Sequence, residues 1–143
     1  MKLITKYEHF IGNDIDFKEL EEILLNEAGD KVQEVYEEDL DELINRGVFY
    51  SDDLVMKQVP MSPSKCHRNV AEFYQNWMDE HNSPDEIGLL TGWALSNDGI
   101  WRQHSWIILW YDDMIIETTE PRTWYYGIEK KGKDLGEFLF SNQ

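Results

Sequence analysis

Cysteine occurs once in the 143 residues, at Cys66, so no internal disulfide can form and nothing suggests an oxidising compartment. No apolar run approaches the roughly 20 residues that a membrane-spanning helix needs. The opening "MKLITKYEHFIGND" lacks the apolar stretch of a signal peptide. A soluble, cytoplasmic protein is expected. Basic residues are scarce: 13 Lys and Arg stand against 29 Asp and Glu, a net charge of -16. That balance argues against nucleic acid and against an anionic membrane as partners, because both reward Lys and Arg. Structural zinc wants four ligands at known spacings, and the "CH" at Cys66–His67 is not such a spacing. No metal and no cofactor are expected.

What is present is enough for a folded core. Hydrophobic residues make up 41 % and aromatics 13 %, which excludes disorder for the chain as a whole. The length fits a single domain over 1–143. From Asn13 to Arg46 there are 13 acids and three bases. Within that run, Phe17, Leu20, Ile23, Leu24 and Ala28 recur at helical spacing, with Asp14 as a plausible N-cap and Gly29 as a stop. Val32, Val35, Tyr36, Leu40, Leu43 and Ile44 predict a second helix over about 31–46, closed by Gly47. The pair reads as an acidic helical hairpin over 15–46: a solvated face, or a docking surface over 14–42 for a basic protein.

Residues 48–61 mix a short β-like piece with turn signals. In "SPSKCHRNVAEFYQNW" the Ser62–Pro63 pair predicts the start of a helix over 62–81. Val70, Phe73, Tyr74, Trp77 and Met78 form its apolar stripe. Beyond Ile87 the composition turns to Ile, Leu, Trp, Tyr and Thr, broken at "SNDG" and "YDD". Four antiparallel strands are expected within 87–128, at about 87–95, 100–111, 114–119 and 123–128, with "GKDLGEFLF" as a short closing helix. Helices first and strands after give an α+β class: a Cys-bearing helix packed on an antiparallel sheet of about four strands.

Cys66 falls in the first turn of the predicted 62–81 helix, on the face of Val70. Free amides and the helix dipole favour a thiolate there. The bland alternative is a small buried hydrophobe, the usual state of a free cysteine. His104 begins an apolar strand and shares a face with Trp106, Ile108 and Trp110. Glu117 interrupts the apolar run of the next strand. A two-residue turn at Asp112–Asp113 would place Glu117 some four residues along from His104. Glu120 comes nearer in a longer-loop register. His67 lies on another face of the helix from Cys66, which suits a supporting or surface role.

The order Cys at a helix start, His at a strand start, then an acid on the following strand resembles the papain-like superfamily of thiol hydrolases. That superfamily includes NlpC-type peptidases and transglutaminase-like proteins. "HSWIILWYDDMIIETT" is similar to the His-hairpin-acid segment of those families, and the likeness covers about residues 60–120. It implies Cys66 as nucleophile, His104 as general base and then acid, and Glu117 as the residue orienting His104. It also implies a peptide or amide substrate, with hydrolysis or acyl transfer as the chemistry. Gln58, Gln103, Asn69 and Glu120 are the candidates for the oxyanion or for support behind the triad, and Trp93, Trp106 and Tyr125 for a substrate cleft. Three departures stand out: Glu in the third position, Pro60 where papain-like enzymes carry Gln, and His67 directly after the cysteine. The rival reading is a non-enzymatic immunity- or inhibitor-like protein that masks a basic partner with its acidic helices.

Overall fold

The computed structural model describes residues 16–51 and 54–143. Asp14, the expected cap of the first helix, lies outside the described residues. Helix α1 covers 16–27 of them. There follow strand β1 (Lys31–Val32), helix α2 (Leu40–Arg46), and strands β2 (Val48–Ser51) and β3 (Val55–Gln58). Helix α3 (Cys66–His81) precedes strands β4 (Ile87–Leu95), β5 (Ile100–Leu109), β6 (Met114–Glu117) and β7 (Trp124–Lys130), and helix α4 (Gly132–Ser141) closes the chain. The class is α+β. The four expected strands of 87–128 are present, with ends shifted by a residue or two. The sheet is larger than expected and mixed: seven strands in the order β2-β7-β4-β5-β6-β3, with β1 added beside β5. β1 lies parallel to β5 and β3 parallel to β6, and the other pairs are antiparallel.

The expected second helix of the acidic hairpin does not form over 31–39. Gly29 takes φ +85, a left-handed turn suited to glycine. The amides of Asp30 and Lys31 then bond to the Gly99 carbonyl, and that of Gln33 to Trp101. An open strand edge thus captures a segment whose pattern alone suits a helix. Only Leu40–Arg46 stays helical, so 15–46 is a helix, an edge strand and a short helix instead of a hairpin. The Cys-bearing helix also starts later than expected. Ser64 sits at φ +59, Lys65 takes the cap position, and no side chain caps the first turn. Ser62 instead offers its carbonyl to Asn69 Nδ2 at 2.8 Å.

The sheet curls, and its two faces have different tasks. The outer face is covered by helices. Leu20, Leu24 and Leu43 pack with Trp93, Leu95 and Trp101 at one end. Val70 and Tyr74 of α3 pack with Leu89, Ile107 and Ile116 at the other. The inner face closes on itself: Leu90, Trp106, Ile108, Ile115 and Tyr125 pack together with Tyr50 and Met56. Tyr50 belongs to one terminal strand of the sheet and Met56 to the other, so the curl brings the two edges together. β6 and β7 likewise meet across this interior, although β4 and β5 separate them in the sheet. Gly127 makes room for it, since a Cβ there would stand 2.6 Å from Cη2 of Trp106.

Gly127→Ala should therefore push Trp106 out of place and cost about 1–3 kcal/mol, an overpacking penalty, in urea-unfolding midpoints. An unchanged midpoint would show that the inner face is looser than the packing indicates.

Candidate active site

β5 is the strand around which the site is built. β1 pairs with it at Ile100 and Trp101, and β6 pairs with it from Ile107 to Leu109. Among the described residues, no strand pairs with 102–106 on that side. The start of α3 fills this gap. The Ser105 backbone N–H donates to the Cys66 sulfur, and the thiol also bonds to the His104 ring. Cys66 is half-buried, while His104 is 1 % exposed.

His104 Nε2 meets Glu117 Oε1 at 2.8 Å, which leaves Nδ1 for Cys66. The register explains how Glu117 reaches it. The chain turns between β5 and β6 through a one-turn 3-10 helix, Trp110–Asp112, in place of a two-residue turn. Ile107 then opposes Ile116, so Glu117 comes opposite Trp106, one diagonal step from His104 on the same face. The four-residue separation expected from the tighter turn does not occur.

Glu117 is fully buried and collects four donors. Besides His104, the Tyr125 hydroxyl donates to Oε1 at 2.7 Å, and the Thr119 amide and hydroxyl each reach Oε2 at 3.0 Å. Arg122 Nη1 donates to Ser96 Oγ at 2.6 Å and helps fix the turn that carries Thr119. Trp106 lies nearly parallel to the His104 ring, at 6.2 Å and 17°. These partners hold the imidazole in one orientation.

The charges follow from the contacts. Burial pushes the Cys66 thiol up, but the His104 ring and the Ser105 amide outweigh it and the thiol titrates below its ordinary value. Burial pushes His104 down, but Cys66 and Glu117 hold it above the ordinary histidine value. Burial pushes Glu117 up, but His104, Thr119 and Tyr125 hold it below the ordinary carboxylate value. All three shifts run toward the charged forms, a thiolate, an imidazolium and a carboxylate. Tyr125, buried against that carboxylate, has its hydroxyl pKa driven far upward and stays a neutral donor.

The structure brings Cys66, His104 and Glu117 together, and places the other candidates elsewhere. Trp93 is fully buried and donates to Glu37 Oε1 at 3.0 Å in the outer-face core, so it lines no cleft. Trp106 and Tyr125 are buried in the curl, where they pack on His104 and bond to Glu117 in place of meeting substrate. Gln103 turns to the opposite face of β5, where its Nε2 donates to the Tyr36 carbonyl at 2.7 Å. Asn69 spends its amide on Ser62. Gln58 is exposed on β3, separated from β5 by β6. Glu120 is exposed in the turn after β6. The donors left for an oxyanion are backbone amides. The first amide of α3 with a carbonyl partner one turn back is that of Asn69, bonded to Lys65, which leaves those of Cys66, His67 and Arg68 outside the helical ladder.

His67 is a neighbour that sequence reasoning placed only loosely. Its Nδ1 lies 2.5 Å from Ser105 Oγ, and Ser105 Oγ donates onward to Thr91 Oγ1 at 3.1 Å. His67 Nδ1 and Ser105 Oγ thus share one hydrogen bond, and the ring's Nε2 has no hydrogen-bond partner among the described residues. Burial and the His104 charge both push His67 below its ordinary value, so the ring stays neutral. The roles of Tyr125, Thr119 and the Ser105 amide depend on the curl and on a strand edge, and no local motif marks them.

No protein-family model, curated protein or solved structure matches this chain. No helix among the described residues is long and apolar enough to cross a membrane. The described residues also hold no group of three or more His, Cys, Asp or Glu arranged to bind a metal ion.

Tyr125→Phe should lower stability at neutral pH by about 1.5–3 kcal/mol, the range for a hydrogen bond to a charged group. Glu117 titrates in the fold below its unfolded value near 4.5, so its stabilisation is present above that value and lost as pH falls through the folded one. The difference between wild type and variant should therefore shrink on acidification, as followed by urea unfolding across pH. A difference independent of pH would show that the hydroxyl acts by packing alone.

Proposed function

We propose that this chain is a thiol hydrolase or acyltransferase of papain-like type, acting on amide or isopeptide bonds through Cys66, His104 and Glu117. The observation that carries the reading is the buried chain of hydrogen bonds from the helix-start thiol through His104 to a four-times-bonded carboxylate. A merely structural cysteine has no use for an imidazole held in one orientation by a buried acid. A thiol pKa pushed down against burial is the property a nucleophile needs at neutral pH.

In this mechanism the Cys66 thiolate attacks the carbonyl carbon, and the amides at the α3 start stabilise the oxyanion. The His104 imidazolium gives its Nδ1 proton to the departing amine as the C–N bond breaks, leaving a thioester and a neutral ring. His104 then takes a proton from water or an acceptor amine as that nucleophile attacks the thioester. The C–S bond breaks, the product acid or amide leaves, and thiolate and imidazolium are restored. Glu117 keeps the ring aligned and stabilises its charge throughout.

The rival reading, a masking protein for a basic partner, relied on an acidic helical hairpin, and the 31–39 segment is not helical. The two are separated by the thiol's behaviour. Cys66 should be alkylated by iodoacetamide at a rate that stays high well below the ordinary cysteine value. His104→Gln should return the inflection toward about 8.5 and slow the reaction at pH 6.5 by at least about tenfold, as thiolate is lost. A wild-type profile matching free cysteine would rule out the nucleophile. Glu117→Gln should leave an alkylatable thiol but raise the inflection by a smaller step.

A further inference from the structure

Two arginines of the chain are half-buried, Arg102 and Arg122. Arg102 has a carboxylate to itself, Asp98 Oδ2 at 2.8 Å. Arg122, in the turn between β6 and β7, has no ion-pair partner among the described residues. Its three contacts are neutral oxygens. Nη1 donates to Ser96 Oγ at 2.6 Å, Nε to the Glu120 carbonyl at 3.2 Å, and Nη2 to Thr119 Oγ1 at 3.4 Å. With 29 acids in the chain against 13 bases, a half-buried guanidinium without a carboxylate calls for a reason.

The reason lies one residue further in. Thr119 Oγ1 accepts from Arg122 and donates to Glu117 Oε2 at 3.0 Å. The other carboxylate oxygen, Oε1, takes His104 and Tyr125. The guanidinium thus reaches the acid through the oxygen that His104 does not use, two hydrogen bonds away. Its charge also acts on Tyr125, where it opposes the upward push of burial and of Glu117 on the hydroxyl. The titratable groups facing the His104 ring are then Cys66 and His67 from α3, Glu117 from β6 and Tyr125 from β7, with Arg122 behind Glu117.

The proposed reaction asks opposite things of His104. At rest the ring is an imidazolium, held charged by Cys66 and Glu117. In the thioester the thiolate is gone, and the ring must be neutral so that Nδ1 can take a proton from the attacking water or amine. Glu117 still opposes this, because a carboxylate holds a bonded imidazole in its protonated form. A cation behind the carboxylate offsets part of that pull. We infer that Arg122 is a positioning residue for the second half of the reaction: acting through Thr119 and Glu117, it keeps His104 neutral once the thiolate is consumed, so that the ring can serve as base. The inference rests on the proposed function for its place in the cycle, but the action of Arg122 on the ring does not require turnover.

Cys66→Ser removes the thiolate, as acylation does, so an NMR titration of the His104 ring in that background reads the effect without a substrate. Adding Arg122→Gln, which keeps an amide for the same oxygens but loses the charge, should raise the ring's inflection by about 0.5–1 pH unit. Adding Arg122→Lys, which keeps the charge, should give less than half that rise, and it tests the charge on its own if the Gln variant does not fold. In chains that retain Cys66 the probe is p-nitrophenyl acetate. The thiolate displaces p-nitrophenolate in a burst; water then attacks the acetyl thioester and gives its proton to His104 Nδ1, the C–S bond breaks, and acetate leaves. Arg122→Gln should keep the burst, move the inflection of the steady rate upward, and slow that rate about three- to tenfold below the inflection. Arg122→Lys should restore most of it. An unmoved ring titration, an unmoved steady rate, or Gln and Lys variants that shift the ring equally overturns the inference. A wild type without a burst overturns the proposed function, and with it the place of Arg122 in the cycle, whatever the ring titration shows.

Discussion

One buried carboxylate ties the sheet and the candidate site together. Glu117 lies at the end of β6, takes a bond from His104 on β5, and takes another from Tyr125 on β7. β6 and β7 are not neighbours, so the hydroxyl reaches the acid only because the sheet curls. A charge inside a protein is tolerated only when its oxygens are well bonded. Flattening the sheet would strip Glu117 of a donor and leave that charge poorly satisfied. The curl and the charge therefore support each other, and the imidazole between them inherits the rigidity of both.

That rigidity has a division of labour. The inner face carries Glu117, His104 and the aromatic packing. The outer face carries the helices. The thiol belongs to neither, because the start of α3 enters where β5 lacks a strand neighbour. A Ser105 amide that would otherwise bond across a sheet bonds to sulfur instead. Ser105 serves both faces: its amide meets Cys66, and its hydroxyl meets His67 and Thr91. The Cys66 thiol and the His67 ring are thereby linked through one residue of β5.

How much of this the sequence disclosed depended on whether the information was local. The stripe of Val70, Tyr74, Trp77 and Met78 and the alternation of His104, Trp106 and Ile108 are periodic, so α3 and the core strands were legible. The 31–39 segment misled because its apolar spacing does suit a helix. The carbonyls of Gly99 and Trp101, far along the chain, outcompeted it. Ser62–Pro63 reads as a cap, but a left-handed Ser64 delays the helix until Cys66 itself. Cys66, His104 and Glu117 could be named as residue types in order. Their spacing could not, because the one-turn 3-10 helix at Trp110–Asp112 set the register. Trp93, Trp106 and Tyr125 were read as a lining because aromatic residues suit both cores and clefts, and only burial tells the two apart.

The gap along β5 has a consequence for size. An uncovered strand edge is an invitation to pair with another chain, and here the seated end of α3 is what covers residues 102–106. Prising that helix away to admit a bulky folded surface would bare the edge and separate Cys66 from the Ser105 amide at the same moment. Under the proposed function, geometry of this kind would reward slender substrates: an extended chain or a long flexible arm that reaches the sulfur from outside while the stopper stays in place.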